Sequence, residues 1–258
     1  MSKVDFNKKI IDEIKNFISA NNHKKLKETL KDIHYADIAE LIDNLNIDEA
    51  TYLIKLLKSD TTADALAEID DEKREKILKN LSAKEIAEEL TELDTDDAVD
   101  IISELPEERK ERVISQIEDD KHIEDIRELL TYDENTAGGL MAKELVKVNE
   151  NLSVLKCLNE MRSQAENVTR VHSIYVVDGK NKLKGRLSLK DLITANSKAK
   201  VKDIFIPNVD YVYVNDENEE VARKMSKYDL EAMPVINKKK ELLGRITIDD
   251  IVDVIKEE

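Results

Sequence analysis

Five carboxylates, Asp249, Asp250, Asp253, Glu257 and Glu258, crowd into the last ten residues, within the stretch ITIDDIVDVIKEE. Helical spacing places Asp249, Asp253 and Glu257 on one stripe, with Asp250 beside them. Such a stripe attracts cations, or it is a solvated face opposite the apolar Ile251, Val254 and Ile255. A second group, Asp96, Asp97 and Asp100, lies in DTDDAVDIISEL. Asp96 and Asp97 suit a helix N-terminus, where acids are favoured, with Asp94 or Thr95 as its cap. Asp100 falls one turn after Asp96, and the pair repels by a few tenths of a kcal/mol in isolation. A third pattern occurs twice, as Ser188-x-x-Asp191 and Thr247-x-x-Asp250. The pattern is a common helix start.

The chain of 258 residues has 38% charged residues and a formal net charge of −16. That balance argues against nucleic acid, which needs a positive footprint, and against anionic lipid. Apolar residues make up 41%, enough for one large domain or two smaller ones. The one cysteine, Cys157, sits among Val154, Leu155 and Leu158 and reads as a buried thiol in a reducing compartment. None of the four histidines pairs with Cys or another His at zinc spacing. No apolar run approaches the ~18 residues that span a bilayer, and no leader is recognisable, so the chain is expected to be soluble as given. No nucleophile–base set or phosphate loop is present, which argues against an enzyme.

All five glycines lie after residue 137. The stretch before them is helical in composition and repeats. Leu57, Leu81, Leu105 and Leu129 stand 24 residues apart, as do Leu45, Ile69, Leu93 and Ile117, and Ile54, Leu78, Ile102 and Ile126. Ala39, Ala63 and Ala87 mark a fourth register. That period fits two short helices and two turns, which must stack to bury their apolar faces. Ser82 with Glu85 forms a capping-box pattern, and Pro106 fits the first turn of the next helix. The later stretch alternates strands and helices. LVKVN, a helix over SVLKCLNEMRSQ, the strands SIYVVD and LKGRLSL around Asp178-Gly179, and LKDLITAN are followed by YVYVN, NEEVARKMSKY, AMPVIN, LLGRITI and DDIVDVIKEE. Gly185 matches Gly244, Ser188 matches Thr247 and Asp191 matches Asp250, so β-α-β-β-α occurs twice.

The duplicated segments YVVDGKNKLKGRLSLKDLI and MPVINKKKELLGRITIDDIV resemble a tandem pair of CBS domains, small modules that dimerise and often sense adenosine nucleotides. With the preceding helices, the junction YDENTAGGLM and the acidic last helix, the order resembles the cytosolic region of MgtE-type magnesium transporters. The expected fold class is α + α/β. It comprises an N-terminal all-α superhelix of short helix pairs over 1–131, a junction and first CBS repeat over 132–200, and a second repeat over 201–258. The second repeat ends in the start of a connecting, or plug, helix.

The resemblance implies a Mg2+-sensing regulator on the cytoplasmic face of the membrane. Its partners would be a second copy through the CBS pair, and its own transmembrane domain. Mg2+ would bridge Asp64, Asp96 and Asp100 of the superhelix, Gly139 by its carbonyl, Ser226 by its backbone, Asp229, Asp250, Asp253 and Glu258. Asp64 stands where the family typically has Glu. At ~4 Å and an effective dielectric of 20, each like-charge pair costs about 4 kcal/mol, so carboxylates on opposed surfaces separate them unless a cation intervenes. ATP is the second ligand implied, at Ser188, Lys190, Asp191 and Leu230, the last where the family can place an aromatic residue. Two other readings stay open. One is a nucleotide-sensing CBS module indifferent to Mg2+. The other is an adaptor whose helical repeat binds protein and whose CBS pair only dimerises.

Overall fold

The computed structural model describes Phe6 and residues 8–57, 60–166, 168 and 170–257, without the side chains of Asp253, Lys256 and Glu257. The chain divides into two units, Met1–Leu93 with Asp97–Ile126, and Asp94–Asp96 with Arg127–Glu258.

The helical part comprises α1 (Lys8–Ser19), α2 (His23–Leu30), α3 (Tyr35–Asp43), α4 (Ile47–Leu57), α5 (Asp60–Glu68), α6 (Asp71–Lys79), α7 (Ala83–Leu90), α8 (Thr95–Ser103), α9 (Glu107–Ile114) and α10 (Asp120–Leu129), the start of α8 and the end of α10 falling in the second unit. Helices this short do not persist alone in water and need a packed face. The 24-residue period supplies it, separating the starts of α6 and α8 and of α7 and α9. Ile54, Leu78, Ile102 and Ile126 are buried inside α4, α6, α8 and α10, and Leu45, Ile69, Leu93 and Ile117 are buried just past α3, α5, α7 and α9. In the last register Leu81, Leu105 and Leu129 are buried while Leu57 is half-buried. Ala39, Ala63 and Ala87 are the small residues of α3, α5 and α7, which pack in succession.

Polar side chains close the turns. Ser82 Oγ accepts from the Glu85 amide at 3.2 Å while Glu85 Oε2 accepts from the Ser82 amide at 2.7 Å, completing the expected capping box. The hydrogen bond from the Ser82 amide pulls the Glu85 carboxyl down to about 2, with Lys55 adding its charge. The pattern of helix ends shows a device that periodicity does not reveal, in which basic side chains donate to the orphan carbonyls of earlier elements. Lys73 Nζ reaches the carbonyls of Asp43 and Leu45 at 2.8 and 2.7 Å. Arg74 Nη1 reaches Ala67 and Ile69 at 2.7 and 3.1 Å, and Arg109 Nη2 reaches Leu78 at 2.7 Å.

In the second unit β1 (Val146–Asn149), α11 (Val154–Ala165), β2 (Ile174–Val177), β3 (Leu183–Leu187) and α12 (Leu189–Thr194) form the first repeat. A further strand, β4 (Ile206–Pro207), pairs with β3 and makes a four-stranded sheet in the order β1-β2-β3-β4. The sequence reading has no such strand, because two residues carry no alternation. The second repeat is β5 (Val212–Tyr213), α13 (Asn218–Tyr228), β6 (Ala232–Ile236), β7 (Leu242–Thr247) and α14 (Ile248–Glu257), its sheet ordered β5-β6-β7. In both, the first strand runs parallel to the second across a helix and the third runs antiparallel. The expected strand over YVYVN shortens to β5, although Val214 still donates to the Ile236 carbonyl at 3.0 Å.

The hairpin at Asp178-Gly179 turns on different atoms than expected. Asp178 Oδ1 accepts from the amides of Lys180 and Lys182 at 2.8 and 3.1 Å, and the positive φ of 59° belongs to Asn181. The two hairpins then bond to each other. Leu183 donates to the Lys240 carbonyl at 2.9 Å, Leu242 donates to the Asn181 carbonyl at 2.9 Å, and Asn181 Nδ2 donates to the Leu242 carbonyl at 2.8 Å. Tyr175, Val177 and Leu242 pack together beneath them with Leu145 and Leu183.

Two outcomes follow. Leu78→Ala empties a fully buried site and should lower the stability of the helical unit by about 3 kcal/mol in urea unfolding; a loss below about 1 kcal/mol would contradict the stacking described. Cys157 is fully buried, and burial, with Glu160 nearby, pushes its thiol up to about 11. A thiol reagent at pH 8 should leave it unmodified until the chain unfolds.

Candidate functional site

The expected site residues fall on distinct elements. Asp64 is half-buried on α5, and Asp100 is exposed on α8, both in the first unit. Asp96 belongs to the second unit with Asp94 and Thr95. Ser226 is exposed on α13, and Asp229 follows it as the left-handed C-cap with φ 50°. Asp250 lies in the first turn of α14, which packs on α13. Asp253 lies further along α14 with its side chain outside the described part, and Glu258 lies outside the described residues. Among the described residues, no three His, Cys, Asp or Glu side chains form a group that could hold a metal ion.

The acids are instead organised by two buried arginines, neither apparent from spacing. In the first unit Arg74 holds Glu104 through Nε at 2.9 Å and Asp71 through Nη2 at 2.7 Å, and Asp100 adds its field. In the second unit Arg245 stands in β7 and is 7% exposed. Its Nη2 donates to Asp94 Oδ2 at 2.8 Å and its Nε to the Glu144 carbonyl at 2.5 Å. Asp96, Asp250 and Glu144 act on it electrostatically. Asp96 and Asp100, one turn apart in sequence, thus act on different guanidiniums. The sequence signal for Arg245 is a charge inside the apolar strand LLGRIT, where a buried arginine requires partners. Its counterpart in the first repeat, Arg186, is exposed.

Asp94 and Thr95, read from the sequence as candidate caps of this helix, also have partners beyond it. The Asp94 carboxylate is engaged by Arg245. Thr95 Oγ1 donates to Glu144 Oε2 at 2.9 Å and accepts from the Lys143 amide at 2.9 Å. Burial pushes the Asp94 carboxyl up, with Glu144 adding to the effect and Arg245 opposing it. Asp250 Oδ2 accepts from the Thr247 amide at 2.7 Å and from Thr247 Oγ1 at 3.1 Å, the helix-start reading of Thr-x-x-Asp. Thr247 Oγ1 also donates to Asp249 Oδ1. The Asp250 carboxyl is pushed up to about 6, first by burial and then by Asp249, against the bonds from Thr247.

Gly139 has a packing reason to be glycine. A Cβ there would lie 2.6 Å from the Asp133 carbonyl oxygen and 2.7 Å from the Glu134 Cα. Its neighbours tie the junction to the second repeat, because Ala137 donates to the Asp216 carbonyl at 2.8 Å and Gly138 to the Val214 carbonyl at 2.9 Å. Of the expected nucleotide residues, Ser188 caps α12, with Oγ accepting from the Lys190 amide at 3.2 Å, so Ser188, Lys190 and Asp191 share one turn. Leu230 lies apart in sequence, half-buried beyond the end of α13.

Residues 33–135 match the model of the MgtE intracellular N domain, and residues 137–198 and 201–257 each match the CBS domain. The magnesium transporter MgtE of Thermus thermophilus is 43% identical over 127 residues, covering 49% of this chain and 28% of that protein. The Enterococcus faecalis protein of that name is 38% identical over 129 residues, covering 50% of this chain and 28% of that protein. These matches thus span little more than a quarter of the curated relatives. Among solved structures, the cytosolic domain of the Mg2+ channel MgtE in complex with ATP is 33% identical with a TM-score of 0.87, covering 95% of this chain and 99% of that one. The soluble part of a magnesium transporter is 29% identical with a TM-score of 0.86, covering 96% and 97%. Among the described residues no helix is long and apolar enough to cross a membrane. The chain belongs to the MgtE family and carries its N domain and its tandem CBS domains.

Proposed function

We propose that this chain is the Mg2+-responsive regulatory region of a magnesium transporter or channel, working on the cytoplasmic face of the membrane. Mg2+ bridges Asp64, Asp96 and Asp100 to the junction and CBS acids, favouring a compact state that shuts the pore of a transmembrane domain. The observation that carries the reading is the match along 95% of the chain to the cytosolic domain of a Mg2+ channel. The acids present are hard oxygen donors of the kind Mg2+ takes. The raised Asp250 carboxyl supports the fit, since a nearby cation relieves the burden on it. Asp229, Asp250 and the backbones of Gly139 and Ser226 would hold the ion on the CBS side, with Asp253 and Glu258 along and beyond α14.

Two further parts belong to the reading. ATP, which the related cytosolic domain holds, would take the turn of Ser188, Lys190 and Asp191. Leu230 offers an apolar edge without stacking. A second copy would pack on the CBS pair, where Leu189 and Ile193 of α12 and Ile248, Val252 and Ile255 of α14 are exposed apolar residues at helical spacing.

Small-angle scattering across a Mg2+ titration, at ionic strength held constant with K+, is the direct test. The radius of gyration should fall in the millimolar range, with no fall in the K+ control, and Asp96→Asn with Asp250→Asn should abolish the response or make the compact form independent of Mg2+. A flat curve for the unmodified chain would overturn the reading. Asp191→Ala should remove ATP binding and leave the Mg2+ response intact. The Asp250 carboxyl also sets a pH dependence. Its folded value lies above its ordinary one, so the stability it contributes is present at low pH and lost as pH rises through about 6. The stability advantage of the unmodified chain over Asp250→Asn should shrink by about 2 kcal/mol between pH 4 and pH 7 in urea unfolding; parallel profiles would contradict it.

A further inference from the structure

We propose that Arg245 is a built-in cation that does, inside the CBS unit, the work of one bridging metal ion. It holds the Asp94–Asp96 segment against β7 and the start of α14 when no divalent ion is bound. The inference rests on the reading above for the identity of the competing ion, Mg2+.

The geometry is that of a fixed counter-ion. Arg245 stands in β7, paired with Pro234 of β6, and its backbone donates to and accepts from Ala142, ahead of β1, at 2.9 and 2.8 Å. Its side chain is 8% exposed. From there Nη2 reaches Asp94 at 2.8 Å and Nε the Glu144 carbonyl at 2.5 Å. The charges of Asp96, Asp250 and Glu144 also act on the same guanidinium, and Asp249 shares the Thr247 hydroxyl with Asp250. The other basic groups nearby are differently placed. Lys143 Nζ pairs with Glu128 at 2.7 Å and donates to the Leu243 carbonyl at 3.2 Å, and burial, with Arg245 and Arg170, holds the His172 ring below its ordinary value against Asp249 and Glu231, which favours its neutral form. One guanidinium therefore serves two of the residues expected to bind metal, Asp96 and Asp250. A divalent ion entering there meets a resident positive charge, so in this chain Mg2+ reaches Asp96 and Asp250 only in competition with Arg245.

The test compares the full chain with Arg245→Gln and Arg245→Lys. Bound Mg2+ is counted by equilibrium dialysis, and melting is followed across a Mg2+ titration at constant ionic strength. Arg245→Gln should melt lower than the unmodified chain in K+ alone, recover with Mg2+ at a roughly tenfold lower midpoint, and bind one further ion per chain. Arg245→Lys should keep the original ion count. If Arg245→Gln does not fold in K+, folding in Mg2+ supports the proposal and failure in both overturns it. An unmodified chain that responds to Mg2+, with the same midpoint and ion count in Arg245→Gln, overturns the proposal and spares the sensing reading. An unmodified chain with no Mg2+ response, beside an Arg245→Gln chain that gains an ion, does the reverse.

Discussion

A carboxylate drawn out of water needs hydrogen-bond donors or positive charge close by. With 57 acidic residues against 41 basic ones, the basic side chains cannot meet all of them singly. The fold answers with backbone amides at helix starts and with two buried guanidiniums. Glu85 and Asp250 each take the amide of the residue that caps their helix. Arg74 gathers Glu104 and Asp71 in one unit, and Arg245 gathers Asp94 and its neighbours in the other. A buried charge left without its partner costs several kcal/mol, so these two arginines constrain the elements around them more than any exposed ion pair does. Surface pairs such as Lys24–Glu28 at 3.9 Å hold little by comparison.

The helical unit was legible because burial imposes a period. Residues such as Leu78 and Ile102 recur at fixed spacing, since each short helix must offer its apolar stripe to the next. The duplicated CBS repeats were legible for a similar reason, through paired strands, Gly185 with Gly244, and matching caps. What stayed hidden depends on tertiary neighbours. Spacing alone shows no reason for Lys73 to seek the end of α3, or for Asp94 to reach a residue 151 positions away. The four-stranded first sheet was missed because Ile206–Pro207 is too short to show alternation. The candidate metal ligands came from family resemblance, and the fold distributes them over separate elements.

The duplication shows how one residue type comes to serve two ends. Gly185-Arg186 and Gly244-Arg245 occupy matching places in β3 and β7. Arg186 faces solvent. Arg245 is enclosed, and its planar fork meets a carboxylate and a carbonyl together. The acids brought by residues 94–96 account for the difference, since the second repeat has a segment of earlier chain to hold.

The exchange of hydrogen bonds between the hairpins has a mechanical consequence. Because Leu183 bonds to Lys240 and Leu242 to Asn181, the tips of the two repeats are sewn together by main-chain atoms. Tyr175 and Leu242 pack just beneath that seam. Side chains can slide over one another, but a main-chain seam gives little without breaking. Drawing the two tips apart therefore means breaking main-chain bonds, so a displacement of one hairpin tip is shared by the other.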